Sequence, residues 1–419
     1  MEKFAITDVK GRWVLDSRGN PTVEAEVFVG GISGKAVVPS GASKGKREAV
    51  ELRDNKKAFH GKGVDKAVKN IRKIIAPAIK GMDVRNQIDI DKKMIEIDGT
   101  ENKSTLGANA ILAVSLACAR AASTCLKKSL YEYLGNENTL PVPFMNVING
   151  GKHAGNELAI QEHMIAPLGA SSFGDAVRMC SEVYHTMKGL IKRKYGKNGI
   201  NVGDEGGFAP PLKSSEEAFE LILDAVEENG YGGKIKLAID AAATSFYENG
   251  FYSMQKKFSR EELLDFYEEM VGKYPIVSIE DPFAEDDWEG FIEMTGKLGN
   301  RVQIVGDDIF VTNRRLLEKG IEEKACNALL LKPNQIGTLT ECMEVARHCF
   351  KNSYAVMVSH RSGDTCDSFI SDLAVALGTG QMKAGAPCRA ERTEKYNRLM
   401  RIEDKLGNEA IYGKKLESI

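Results

Sequence analysis

From residue 234 onward the chain keeps repeating one pattern: a short apolar run stops on a charged or polar residue, and a stretch with helical spacing follows. KIKLAID stops on Asp240, PIVSIED on Glu280–Asp281 and VQIVGDD on Asp307–Asp308. NALLLK stops on Lys332, YAVMVSHRS on His360–Arg361–Ser362 and GQMK on Lys383. After a first gap of 40 residues these ends follow one another at intervals of 23 to 28, the length of one strand plus one helix. Ser/Thr-x-x-Glu signatures at Ser214–Glu217, Ser259–Glu262 and Thr338–Glu341 mark helix starts. Strand–helix repetition from about Leu140 predicts an α/β fold, a (β/α)8-type barrel over residues 141–419, a length that suits the usual size of about 250 residues. An open doubly wound sheet is the alternative, but no G-x-G-x-x-G follows a predicted strand.

The first part of the chain reads differently. TVEAEVFV alternates, with Val23, Ala25, Val27 and Val29 on one face, and helical patterns such as ANAILAVSLACARAAS come later. Strands followed by helices predict a compact α+β unit over residues 1–135, joined to the barrel by the segment GNENTLPVP. With 57 Lys+Arg against 59 Asp+Glu, the formal charge of −2 gives no electrostatic case for nucleic acid or an anionic membrane as partner. The start has no signal-peptide pattern, and no 18 consecutive apolar residues occur, so a soluble cytoplasmic protein is expected. The 8 cysteines form no C-x-x-C pair and read as reduced packing residues.

A closed parallel barrel brings the strand ends together around one mouth. Asp240, Glu280 and Asp307 would then crowd three carboxylates into a small volume, which calls for a hard divalent cation; oxygen-only ligands favour Mg²⁺ or Mn²⁺. Each acid taken alone also suits the N-cap of the next helix. Lys332 closes an apolar run, and neighbouring cations would lower its pKa towards the range of a base; the alternative is an ion pair with a strand-end acid. GDEGG places Asp204 and Glu205 between glycines, and near a carboxylate such as Glu162 the pKa of Glu205 is expected to rise. NGGKHAGN at 149–156 reads as a loop carrying His153. PSGASKGKRE at 39–48 lacks the spacing of a P-loop, but its small residues suit a lid that offers Ser43 to a metal or phosphate.

Taken together, DSRGNPTVE, PSGAS, LGANAI, NGGKHAG, IQEHMIAP, GDEGG, SIEDPFAEDDWE, LLLKPNQIGTLTE, VSHRSGDT and GQMKAGAPCRAER resemble the enolase family nearly end to end. The resemblance implies an N-terminal capping domain on a barrel whose opening units depart from simple βα repetition. It also implies Mg²⁺-dependent, reversible dehydration of 2-phosphoglycerate to phosphoenolpyruvate, two Mg²⁺ per site, and a homodimer or higher homo-oligomer. Position by position, Lys332 matches the base that removes the C2 proton and Glu205 the acid that assists departure of the C3 hydroxyl. Asp240, Glu280 and Asp307 match the ligands of one Mg²⁺, and Ser43 matches a lid serine that helps bind the other. Lys383 matches a carboxylate contact, and Arg361 and Ser362 match phosphate contacts. His153, Glu162 and His360 match polar residues of the same pocket, with Glu162 the partner of the acid. Lys44 and His163 depart from the pattern common in eukaryotic members, where a threonine and an aromatic stand. A binding or scaffold role on the same fold is the competing expectation.

Overall fold

The structure, a computed structural model, describes residues 3–41 and 45–413. Strands β1 (Asp8–Leu15), β2 (Pro21–Val29) and β3 (Ile32–Val37) form an antiparallel sheet in chain order. The alternation read in β2 is real: Val23, Ala25 and Val27 are fully buried on one face. That face is covered by the helix Ala108–Cys125, whose alanines let it lie close to the sheet. By length and apolar content this helix could cross a membrane, but 83% of it is buried inside the protein.

The segment read as a linker is not slack. Thr139–Leu140 pairs in parallel with Ile411–Tyr412, and the first barrel strand starts at Val142. Eight strands close the barrel: β4 (Val142–Asn149), β5 (Glu162–Ala166), β6 (Lys236–Asp240), β7 (Ile276–Glu280), β8 (Gln303–Gly306), β9 (Ala328–Leu331), β10 (Ala355–Ser359) and β11 (Gln381–Lys383). Plain βα repetition from Leu140 fails at the opening, as the family resemblance implied. β5 runs antiparallel to both neighbours, and two helices, Phe173–Tyr195 and Ser215–Glu228, follow it before β6. The connection between β4 and β5, residues 150–161, holds only the short helical turn Gly151–His153 and lacks the α-helix that usually carries a parallel crossover.

The period of two along a strand explains where the charge lies. Phe144, Met164, Ala238, Val305 and Leu330 belong to the apolar filling of the barrel. Two residues nearer the mouth, the same faces present Asn146, Glu162, Asp240, Asp307 and Lys332. Because β5 is reversed, its first residue, Glu162, reaches the end where the other strands present their last. Ion pairs Arg361–Glu48 (3.0 Å) and Arg120–Asp367 (2.6 Å) tie the N-terminal unit to the barrel.

Candidate active site

One cavity at the barrel mouth is lined by Glu162, Asp240 and Lys383 from the strands, by Asp307 and Lys332 immediately after them, and by His153, Glu205 and His360–Ser362 from the loops. Ser43 lies outside the described residues. Glu280 joins through Lys383, whose Nζ lies 2.8 Å from its carboxylate, 3.0 Å from Asp240 and 3.1 Å from Glu162. The lysine therefore stands between two of the three carboxylates predicted to bind metal, all of them buried. Among the described residues, two triads bring possible ligand atoms within 4.8 Å of one another: His153–Glu162–Glu205 and Asp281–Asp307–Asp308. The trio Asp240–Glu280–Asp307 is not one of them.

Electrostatics correct two expectations. Burial opposes the Lys332 ammonium, but the carboxylates of Asp307, its ion-pair partner, and Glu280 together raise its pKa rather than lowering it. The expected fall depended on cation charge nearby; in the chain alone the carboxylate is the closest charge. Burial also opposes ionisation of Glu205, yet the imidazoles of His360 (3.3 Å) and His153 (3.7 Å) hold its pKa well below the usual carboxylate range. Its neighbour Glu162 is pushed well up by burial and by the Glu205 charge. The two carboxyls are thus driven in opposite directions, Glu162 up and Glu205 down. Burial lowers the pKa of both imidazoles, that of His360 to about 4.

The donor set fits a hard divalent cation. Asp240, Glu280 and Asp307 offer only oxygen, and burial together with the Asp240 charge drives the pKa of Glu280 well up, a sign of excess negative charge that a cation would relieve.

Several residues around the site were given no role by the sequence reading. Asp281 accepts from the backbone N–H groups of Asp307 (2.9 Å) and Asp308 (2.8 Å), and so shapes the turn that presents Asp307. Gln335 donates to Asp307 (2.8 Å), and Asn146 donates to Glu205 (3.2 Å). Glu48 accepts a forked pair of hydrogen bonds from Arg361 (3.0 and 3.1 Å). Arg392, fully buried, donates to His360. Arg392 did leave a signal, a charge on the buried face of a helix, which demands a partner.

Comparison with known proteins agrees with this geometry. Residues 6–134 match the family model for the enolase N-terminal domain, and residues 137–418 match that for the enolase C-terminal TIM barrel domain. A protein named enolase from Methanocaldococcus jannaschii is 60% identical over 410 residues, 97% of this chain and 96% of that one. Enolases from Thermococcus gammatolerans and Pyrococcus furiosus are 59% and 56% identical, covering 98% and 99% of this chain and 97% and 99% of theirs. With both halves matched and a barrel reversed at its second strand, the chain belongs to the enolase family of hydro-lyases.

Proposed function

We propose that this protein catalyses the reversible dehydration of 2-phosphoglycerate to phosphoenolpyruvate. Lys332 takes the C2 proton, and Glu205 assists departure of the C3 hydroxyl by giving it a proton. The observation that carries this reading is the meeting of Lys332, Glu205 and three strand-end carboxylates at one buried barrel mouth. Arg361 and Ser362 would bind the phosphate and Lys383 the substrate carboxylate, with His153, Glu162 and His360 lining the same pocket. Asp240, Glu280 and Asp307 would hold one Mg²⁺, and Ser43 would help hold a second. Bound there, the cations supply positive charge against the second negative charge that forms on the substrate carboxylate when the C2 proton leaves.

The chain's own groups divide the work. Arg361 and Lys383 both disfavour the Lys332 ammonium, which favours the neutral amine a base requires once Asp307 is engaged elsewhere. Glu162, whose proton affinity is raised while that of Glu205 is lowered, would be the group that recharges Glu205 as an acid. The same reading takes residues 1–135 as the capping unit and residues 141–419 as the barrel, with a cytoplasmic homodimer as the working assembly. Sedimentation of the purified protein would check the oligomer.

Mg²⁺-titrated turnover of 2-phosphoglycerate, compared with unphosphorylated glycerate, tests the proposal. Turnover of the phosphorylated substrate alone is expected, and it would leave a binding-only role without support. Equal use of glycerate would overturn the phosphate assignment. Lys332→Ala should abolish exchange of the C2 proton with solvent, whereas Glu205→Gln should keep exchange while dehydration falls by about 10²–10⁴-fold. NMR of substrate in deuterated solvent reads both steps, and a reversed pattern would exchange the two roles.

A further inference from the structure

The Arg392 side chain is fully buried near the start of the helix Ala390–Leu406. Its Nη1 lies 2.5 Å from Nδ1 of His360 and 2.7 Å from the carbonyl of Arg361. Its Nη2 reaches the carbonyls of Ser362 (2.5 Å) and Asp204 (3.2 Å). One guanidinium thus joins the turn that carries the phosphate-binding pair to the glycine-rich loop that carries Glu205.

We infer that Arg392 is a positioning residue for the dehydration, fixing His360 as the neutral Nε2–H tautomer so that its N–H faces the Glu205 carboxylate. A guanidinium has only donors, so the ring nitrogen it meets must offer a lone pair. Nδ1 is therefore bare and the ring proton sits on Nε2, which lies 3.3 Å from Oε2 of Glu205, close but without the alignment of a hydrogen bond in this structure. The other tautomer would set N–H against N–H at 2.5 Å and turn a lone pair towards a carboxylate. Protonating both nitrogens would press a second cation against the guanidinium in a buried place. The charged groups around the ring agree: besides Arg392, Glu205 and Asp364 act on it. Arg392 touches no reacting atom in this arrangement; it acts on the acid through the imidazole. A lysine at 392 would keep the charge but lose the fork that meets these acceptors and the Ser17 hydroxyl at once.

The inference rests on the reaction proposed above, but its first test does not. Histidine-selective ¹⁵N labelling of the full chain, with His360 assigned by its absence from a His360→Gln spectrum, distinguishes protonated from bare ring nitrogens. Near neutral pH a protonated Nε2 and a bare Nδ1 are expected. A bare Nε2, or an imidazolium, would overturn the inference without any engineered change at Arg392. Arg392→Lys, with its fold checked by near-ultraviolet circular dichroism, supplies the second test. Its kcat for dehydration is expected to fall about tenfold with KM within about twofold, while C2 proton exchange persists. Equal loss of exchange and dehydration would mark Arg392 as merely structural and sink the positioning role. If the unaltered protein fails to turn over 2-phosphoglycerate, the proposed function fails, and the ¹⁵N spectrum still decides the tautomer.

Discussion

At the scale of single residues, burial sets the proton affinities. His163 faces away from the site on β5, fully buried against Phe219 with Nε2 3.0 Å from Ser215 Oγ, and burial lowers its pKa from 6.5 to about 4. Between those pH values the unfolded chain binds a proton that the folded chain refuses, so this contribution to stability is intact above pH 6.5 and is lost as pH falls towards 4. Urea unfolding across that window is expected to show the loss. His163→Phe, which keeps a ring of similar bulk but cannot bind a proton, should remove on the order of 3 kcal/mol of it. An unchanged pH slope in the variant would show that His163 is not the group responsible. At Lys332 and Glu205 several neighbouring groups together overcome burial, so Lys332 is raised while Glu205, like His163, is lowered.

At the scale of elements, close approach decides which side chains are tolerated. The helix Ala108–Cys125 lies so near β3 that a Cβ on Gly34 would fall 2.1 Å from the backbone N of Ala121 and 2.3 Å from the carbonyl of Ala117. Backbone cannot yield as a flexible side chain can, so Gly34→Ala should force the helix off the sheet at about 3 kcal/mol or more. The urea midpoint reads this, and a variant of unchanged stability would mean the helix shifts freely. Helix starts behaved as the sequence suggested: Ser214, Ser259 and Thr338 each accept from the backbone N–H three residues on. Only at Ser259 does the glutamate reach back to complete the box, because Glu341 pairs with Lys103 and with the Thr338 hydroxyl instead.

At the scale of the whole molecule, the two units are joined by buried charge. Asp367 accepts from both ends of the Arg120 guanidinium at 2.6 Å and from the backbone N–H of Val37 at 2.9 Å, fixing the sheet and its helix to the barrel. Burial alone would raise the pKa of Asp367, but Arg120 holds it below the usual carboxylate range. That stabilisation is complete above the unfolded pKa and is lost as pH falls through the lower, folded one. Arg120→Ala leaves the carboxylate buried without its cation and should cost about 3 kcal/mol at neutral pH, with a smaller penalty in acid. Thermal unfolding at two pH values checks this; a penalty independent of pH would point to lost packing rather than lost charge.

The sequence alone determined which chemical groups end which strands, since an apolar run stopped by a charge is a one-dimensional pattern. Asp240, Glu280, Lys332 and Lys383 were legible in that way, and so was the barrel's spacing. Only the tertiary structure decided that Lys383 stands between Asp240 and Glu280, that Glu162 and Glu205 are driven in opposite directions, and that Arg392 faces His360. The reason is Coulombic: in a buried site a partner a few ångströms away outweighs intrinsic affinity, and those partners come from segments tens to hundreds of residues apart.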